Sequence, residues 1–200
     1  NIGAEAYAEM GLSLVGIDCD LGETSVQIAS DSYGIGELAT RRLIDDGCSR
    51  ILCLRNNSRM RMPANKRTDA YHDVVEQAGL PALVREVEFV KSDDEKSAVV
   101  AKILDENPDI DGIFAGDDTM AAICLNVMKQ RGLSAPDDIK VVGADGARRT
   151  MTFMPDLTTV RQDIDRIGEL AAQSIIALVN GEKPESNIKL PVELIEGKPA

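Results

Sequence analysis

DGIFAGDDTMAAICLNVMKQRGLSAPDDIKVVGAD, residues 111–145, holds two apolar runs separated by one amphipathic stretch. The runs DGIFAG (111–116) and IKVVGAD (139–145) have the length and apolar character of buried strands. Between them, DDTMAAICLNVMKQRG (117–132) opens on acidic residues suited to a helix N-cap and closes on Gly132, where a C-cap belongs. Strand, helix and strand in that order form a βαβ unit, whose two strands must run parallel.

The same beat extends towards the N-terminus. RILCL (50–54), VREVEFV (84–90) and LSLVGID (12–18) read as strands. Residues 33–47, 64–79 and 93–107 read as helices, with Leu38, Leu43 and Ile44, or Val99, Val100, Ile103 and Leu104, at helical spacing. Asp31-Ser32 supplies an N-cap, Gly47 and Gly79 supply C-caps, and Pro63, Pro81, Pro108 and Pro136 fall between elements. The units from 50 to 145 therefore form a doubly wound domain whose parallel sheet is covered on both faces.

Both ends break the beat. Residues 1–31 hold a short helix (4–10), the strand 12–18 and a weak strand, SVQIAS. After Pro155 come LTTVRQD, a long helix (164–180), a turn at NGEKPES and a last strand, IKLPVELIE. A lone strand and helix cannot bury their own core, so these end segments are expected to combine in a second, incomplete lobe.

Composition narrows the function. The net charge of −12 repels phosphate, so this segment should not grip DNA by itself. No apolar run reaches the ~20 residues of a membrane span. The start, NIGAEAYAEMGLSLV, lacks the basic region of a signal peptide, and it lacks an initiator Met, so a longer natural chain is expected. Cys19, Cys48, Cys53 and Cys124 are scattered without CxxC or metal-ligand spacing, and they read as buried free thiols of a cytoplasmic protein. With no Trp and three each of Tyr and Phe, a base-stacking surface is ruled out.

No catalytic or cofactor motif is found. His72 sits mid-helix beside Tyr71 with no nucleophile motif nearby, and neither GxxxxGK[ST] nor GxGxxG occurs. The acid pairs at 93–94, 117–118 and 137–138 open helices or fill turns, which makes capping the better reading than metal binding. The expectation is a non-enzyme without cofactor or metal.

Specific strings carry a family resemblance. IASDSYGIGELATRRLIDDGCSRILCL, KRTDAY, DGIFAGDDTMAA, LSAPDDIKVVGADG and PDLTTVRQDIDRIGELAAQSIIALVNGE follow one another through the chain. In order and spacing they resemble the effector-binding core of LacI-family (lactose-repressor-like) transcriptional regulators, with LTTVRQ and its GELAA helix the most specific. The resemblance implies a periplasmic-binding-protein-like α/β fold: two doubly wound parallel-sheet lobes, three crossovers and a ligand clasped at the carboxyl ends of the strands. Residues 1–31 and 156–180 would belong to the N-terminal lobe, incomplete in this chain, and 32–155 with 187–197 to the C-terminal lobe. Crossings would fall near Asp31, Pro155–Thr159 and Asn180–Asn187.

Arg67 opens the helix after strand 50–54 and offers a planar fork of donors for adjacent hydroxyls or a carboxylate. Position alone reads it as an exposed helix Arg, whereas the resemblance implies that it holds the effector, with Ala70 standing where the family usually has Gly. Asp145 ends a strand, and both its oxygens can accept from a pair of sugar hydroxyls; loop solvation is the plain alternative. The resemblance puts an acidic residue there and a second Asp at Gly146. Asp117 and Asp118 both suit N-capping; Asp118 is read mainly as the cap, Asp117 as a ligand residue replacing the family's Asn.

Gln162 matches a cleft-facing Gln whose amide donates and accepts, and Ile164 stands where relatives often place an aromatic ring. Asp18 could bond a ligand or a backbone at a lobe crossing. Phe89 or Lys91 lies near the family's aromatic wall, and Asn56 with Asn57 ends another strand.

The expected function is sensing of a sugar or related polyol and its coupling to operator DNA through an upstream helix-turn-helix domain, in a homodimer paired near 33–47 with Ile35, Leu38 and Leu43. A periplasmic sugar-binding protein of an ABC transporter is the alternative; a flavodoxin-like enzyme has only the fold in its favour.

Overall fold

The computed structural model describes residues 4–19, 21, 22, 25–57, 65–88 and 90–198. In chain order the elements are α1 (Ala4–Glu9), β1 (Val15–Ile17), β2 (Val26–Ser30), α2 (Ser32–Asp45), β3 (Ile51–Asn57), α3 (Asn65–Gln77), β4 (Leu83–Glu88) and α4 (Asp93–Glu106). They continue with β5 (Gly112–Ala115), α5 (Asp118–Gln130), β6 (Lys140–Asp145), α6 (Arg148–Phe153), β7 (Thr158–Arg161), α7 (Ile164–Val179), β8 (Asn187–Leu190) and β9 (Glu193–Ile195). Local chemistry sets these limits. Asp31 caps α2 by accepting from the Gly34 N–H, and Ser92 and Glu95 form a reciprocal capping box on α4. Past α2, α3 and α5, Gly47, Gly79 and Gly132 turn the chain with φ of 88°, 70° and 73°.

Two sheets result. The larger has the order β4-β3-β5-β6-β7-β9, parallel except for β9; the smaller, β1-β2-β8, is all parallel. One face of the large sheet packs on α4 and α5 through Leu54, Val100, Ile113, Met120 and Val127. The other packs on α2 and α3 through Ile35, Leu43, Cys53, Tyr71 and Phe114. Burial on both faces explains the near-continuous apolar strands. The Tyr71 hydroxyl donates to the Ile51 carbonyl at 2.7 Å and accepts from the Leu83 N–H at 2.8 Å, tying α3 to two strands. The small sheet packs on α7 through Val26, Ile28 and Ile167, while Ile176 and Val179 on that helix stay exposed among the described residues.

The chain passes three times between the sheets: first at Asp31, as expected, and then at two places that differ from the sequence reading. Thr158–Arg161 pairs in parallel with β6, and Thr159 and Val160 are completely buried. That burial draws the stretch into the large sheet, so the crossing follows it, at Gln162–Asp163. The last strand is two: Asn187–Leu190 lies beside β2, and Glu193–Ile195 runs antiparallel to β7. Pro191, which has no N–H to give a ladder, stands at the break. The short helix α6 had no sequence signal, having no buried residue and no side-chain cap.

Ile35 and Leu43 are fully buried in the core between α2 and the sheet, so neither can form the pairing surface expected of 33–47. All four cysteines are free; Cys48, Cys53 and Cys124 are buried, and burial pushes the Cys124 thiol up to about 12.

Candidate functional site

Parallel strands aim the carboxyl ends of β3, β5 and β6 at one edge of the large sheet, and the chemistry collects there. Asn56 lies near the end of β3, Asp117 just past β5, and Asp145 ends β6. Arg67 reaches the same edge from the first turn of α3. Its Nη1 donates to the Gly116 carbonyl at 2.5 Å and its Nη2 to Asp145 Oδ1 at 3.1 Å. Only 11% of the Arg67 side chain is exposed, so the exposed-helix reading is set aside.

Gln162, at the second crossing, is buried and donates from Nε2 to the same Asp145 oxygen at 2.6 Å. Arg67, Asp145 and Gln162 thus form one hydrogen-bonded cluster. Burial pushes the Asp145 carboxyl up to about 6; Arg67 opposes the rise, and the charges of Asp117 and Asp118 add to it.

The cap expected of Asp118 falls to Asp117 instead. Asp117 has the extended backbone of an N-cap, and its Oδ1 accepts from the Met120 N–H at 2.7 Å. Its Oδ2 accepts from Asn56 Nδ2. Asp118, the first helical residue, turns back to the sheet: it accepts from the Thr159 hydroxyl at 2.6 Å and the Gly146 N–H at 2.8 Å. It is a buried bracket between α5, the end of β6 and β7. No feature of the acid pair itself distinguishes bracket from cap; the contact depends on β7 joining this sheet.

Asp18 and Asp145 are the two non-glycine residues with positive φ among those described, at 47° and 106°. Each sits at the carboxyl end of its strand, β1 and β6, and backbone strain of this kind concentrates at functional sites. Asp18 Oδ1 accepts from the Ser30 N–H at 3.1 Å, so one oxygen braces the backbone beside the first crossing. Gly146 follows with φ of 59°, and a Cβ there would lie 2.6 Å from the Arg161 Cβ. The second Asp of the family pattern has no room in this backbone.

Ile164 is 51% exposed on a cavity of about 650 Å³ that Gln162 also lines, with Met151, Arg161, Pro191 and Val192 among its other walls. Arg67, Asp145 and Asp117 do not line it; Gln162 joins the cavity to the cluster. The α6 and Pro191 walls were not among the residues expected from sequence. Phe89 lies outside the described residues, and Lys91 is half-buried in the turn after β4. Among the described residues no group of three His, Cys, Asp or Glu could hold a metal ion, and no helix is long and apolar enough to cross a membrane.

An edge of parallel strands carrying polar side chains, beside crossings to a second sheet, is the α/β architecture in which ligands are generally bound at strand ends. The chain belongs to the periplasmic binding protein-like domain family, whose pattern matches residues 40–198. It is 31% identical over 199 residues to the sucrose operon repressor of Pediococcus pentosaceus, covering 98% of this chain and 61% of that protein. It is 30% identical over 191 residues to the ribose operon repressor of Halalkalibacterium halodurans, covering 94% of this chain and 56% of that one. Among solved structures, the transcriptional regulator CelR in complex with cellobiose superposes with a TM-score of 0.85 at 28% identity, over 97% of this chain and 61% of that one. The LacI-type resemblance is therefore upheld, and these relatives are regulators rather than enzymes. The chain spans about three fifths of the length of the curated relatives it matches.

Proposed function

We propose that this chain is the effector-sensing core of a transcription regulator that binds a sugar or related polyol and is not an enzyme. The Arg67–Asp145–Gln162 cluster carries the reading: a guanidinium, a carboxylate and an amide converge at the carboxyl ends of parallel strands, beside a crossing to the other sheet. Such a set meets vicinal hydroxyls with both donors and acceptors. The cellobiose complex of the structural relative and the sucrose and ribose operon repressors among the sequence relatives support a sugar.

The ligand-binding residues of this reading are Arg67, Asp145, Gln162, Asp117 and Asn56, opposed across the crossings by Asp18 and Ile164. A ligand that touches both sides favours the closed arrangement by the difference between its affinities for the two arrangements. Operator DNA would be held by a separate domain, because this segment is too acidic to bind it. The protein would act in the cytoplasm as a homodimer whose contact lies away from Ile35 and Leu43. The repressor relatives favour this over a transporter's sugar-binding protein.

A thermal-shift screen of the full-length protein with ribose, sucrose, cellobiose and sorbitol tests it, with Arg67→Ala as control. Stabilisation by at least one compound, lost in Arg67→Ala, is expected. Stabilisation that persists in Arg67→Ala would move the site elsewhere.

A further inference from the structure

The cluster has more acceptors than donors. Three carboxylates, Asp117, Asp118 and Asp145, gather at the ends of β5 and β6, and among the described residues one guanidinium, Arg67, meets them, by pairing with Asp145. Asp118 is fully engaged by Thr159 and Gly146, and Arg67 is paired with Asp145. Among the described residues no Lys or Arg forms an ion pair with Asp117. Among the described residues the Asn56 Oδ1 is buried without a partner, and Arg67 and Gln162 both donate to Asp145 Oδ1 rather than to Oδ2. Against these the cluster sets one unpartnered buried donor among the described residues, the Arg67 Nε.

We propose that the effector of this site carries a protonated amine, as an amino sugar or an aminated polyol does, seated between Asp117, Asp145 and the Asn56 carbonyl. The proposal rests on the cleft reading above and narrows it. An ammonium brings three donors and no acceptor, which matches the surplus. A hydroxyl in its place brings one donor and a further acceptor oxygen. The positive charge compensates Asp117, which the protein leaves to a helix N-terminus and a neutral amide. The same field excludes phosphorylated sugars. Burial, which disfavours the ionised Asp145, makes a cationic partner worth more to it than a neutral one.

Isothermal titration of the full-length protein with matched pairs tests this: glucosamine with glucose, galactosamine with galactose, mannosamine with mannose. In at least one pair the amine should bind about tenfold or more tightly, the scale of one charge-assisted hydrogen bond. In Asp117→Asn that ratio should fall towards one; Asn caps a helix as well as Asp does, so α5 keeps its start. Failure of every amine to bind, equal binding within every pair, or a preference that survives Asp117→Asn overturns the proposal. A neutral sugar that binds without amine preference and is lost in Arg67→Ala leaves the cleft reading standing and removes only the amine.

Discussion

Arg67 Nη2 and Gln162 Nε2 donate to the same oxygen of Asp145, at 3.1 and 2.6 Å, so a strand end, a helix start and a lobe crossing meet on one atom. The position of that oxygen is therefore set jointly by the crossing and by the guanidinium.

Burial lifts the Asp145 carboxyl from 3.8 to about 6. In the unfolded chain it ionises near its ordinary value, so between about pH 4 and 6 the folded protein keeps a proton that the unfolded chain releases. The contribution of this group to stability is complete at low pH and is lost as pH rises to about 6. Asp145→Asn stays neutral throughout. Its melting temperature relative to wild type, measured without ligand, should rise between pH 4 and 7. A difference that stays flat with pH would place the Asp145 titration outside this window.

Asp118 braces, and Asp117 should be replaceable as far as folding is concerned. Asp118→Ala strands the Thr159 hydroxyl and the Gly146 N–H in the interior, at a cost of about 1–3 kcal/mol for each group. Asp117→Asn keeps a good N-cap and should change stability by less than about 0.5 kcal/mol. Urea melts of both variants check the contrast; equal losses would refute the assignment of bracket and cap.

Gly36 lets α2 come close to the Arg67 backbone. A Cβ at Gly36 would stand 2.1 Å from the Arg67 carbonyl oxygen, where α2 meets the start of α3. Gly36→Ala must push the helices apart, at about 1–3 kcal/mol of overpacking. A fall in the urea midpoint, with weaker ligand binding in the still-folded protein, is expected. Wild-type stability in Gly36→Ala would mean that this contact yields freely.

Much of this was legible in the chain itself. The βαβ beat from 50 to 145 sits in a doubly wound sheet because strands buried on both faces must be apolar throughout, and short loops hold them in order. The ends were harder. TTVR reads equally well in either sheet, and only the burial of Thr159 and Val160 against β6 decides it. IKLPVELI looked continuous, yet Pro191 splits it between two sheets. In the site, Arg67, Asp145 and Gln162 were named from sequence, but their sharing of one carboxylate oxygen depends on three distant segments. The Asp118–Thr159 contact was hidden for the same reason.

In the proposed function Arg67 holds the effector, and one titration decides whether it does. The sugar or amino sugar that most stabilises the full-length protein is titrated calorimetrically into wild type and into Arg67→Ala, with the melting of each unliganded protein recorded alongside. Losing one charge-assisted hydrogen-bonded contact is worth about 1.5–3 kcal/mol, so affinity should fall roughly tenfold to hundredfold while the variant remains folded. Wild-type affinity in a folded Arg67→Ala protein would contradict the account.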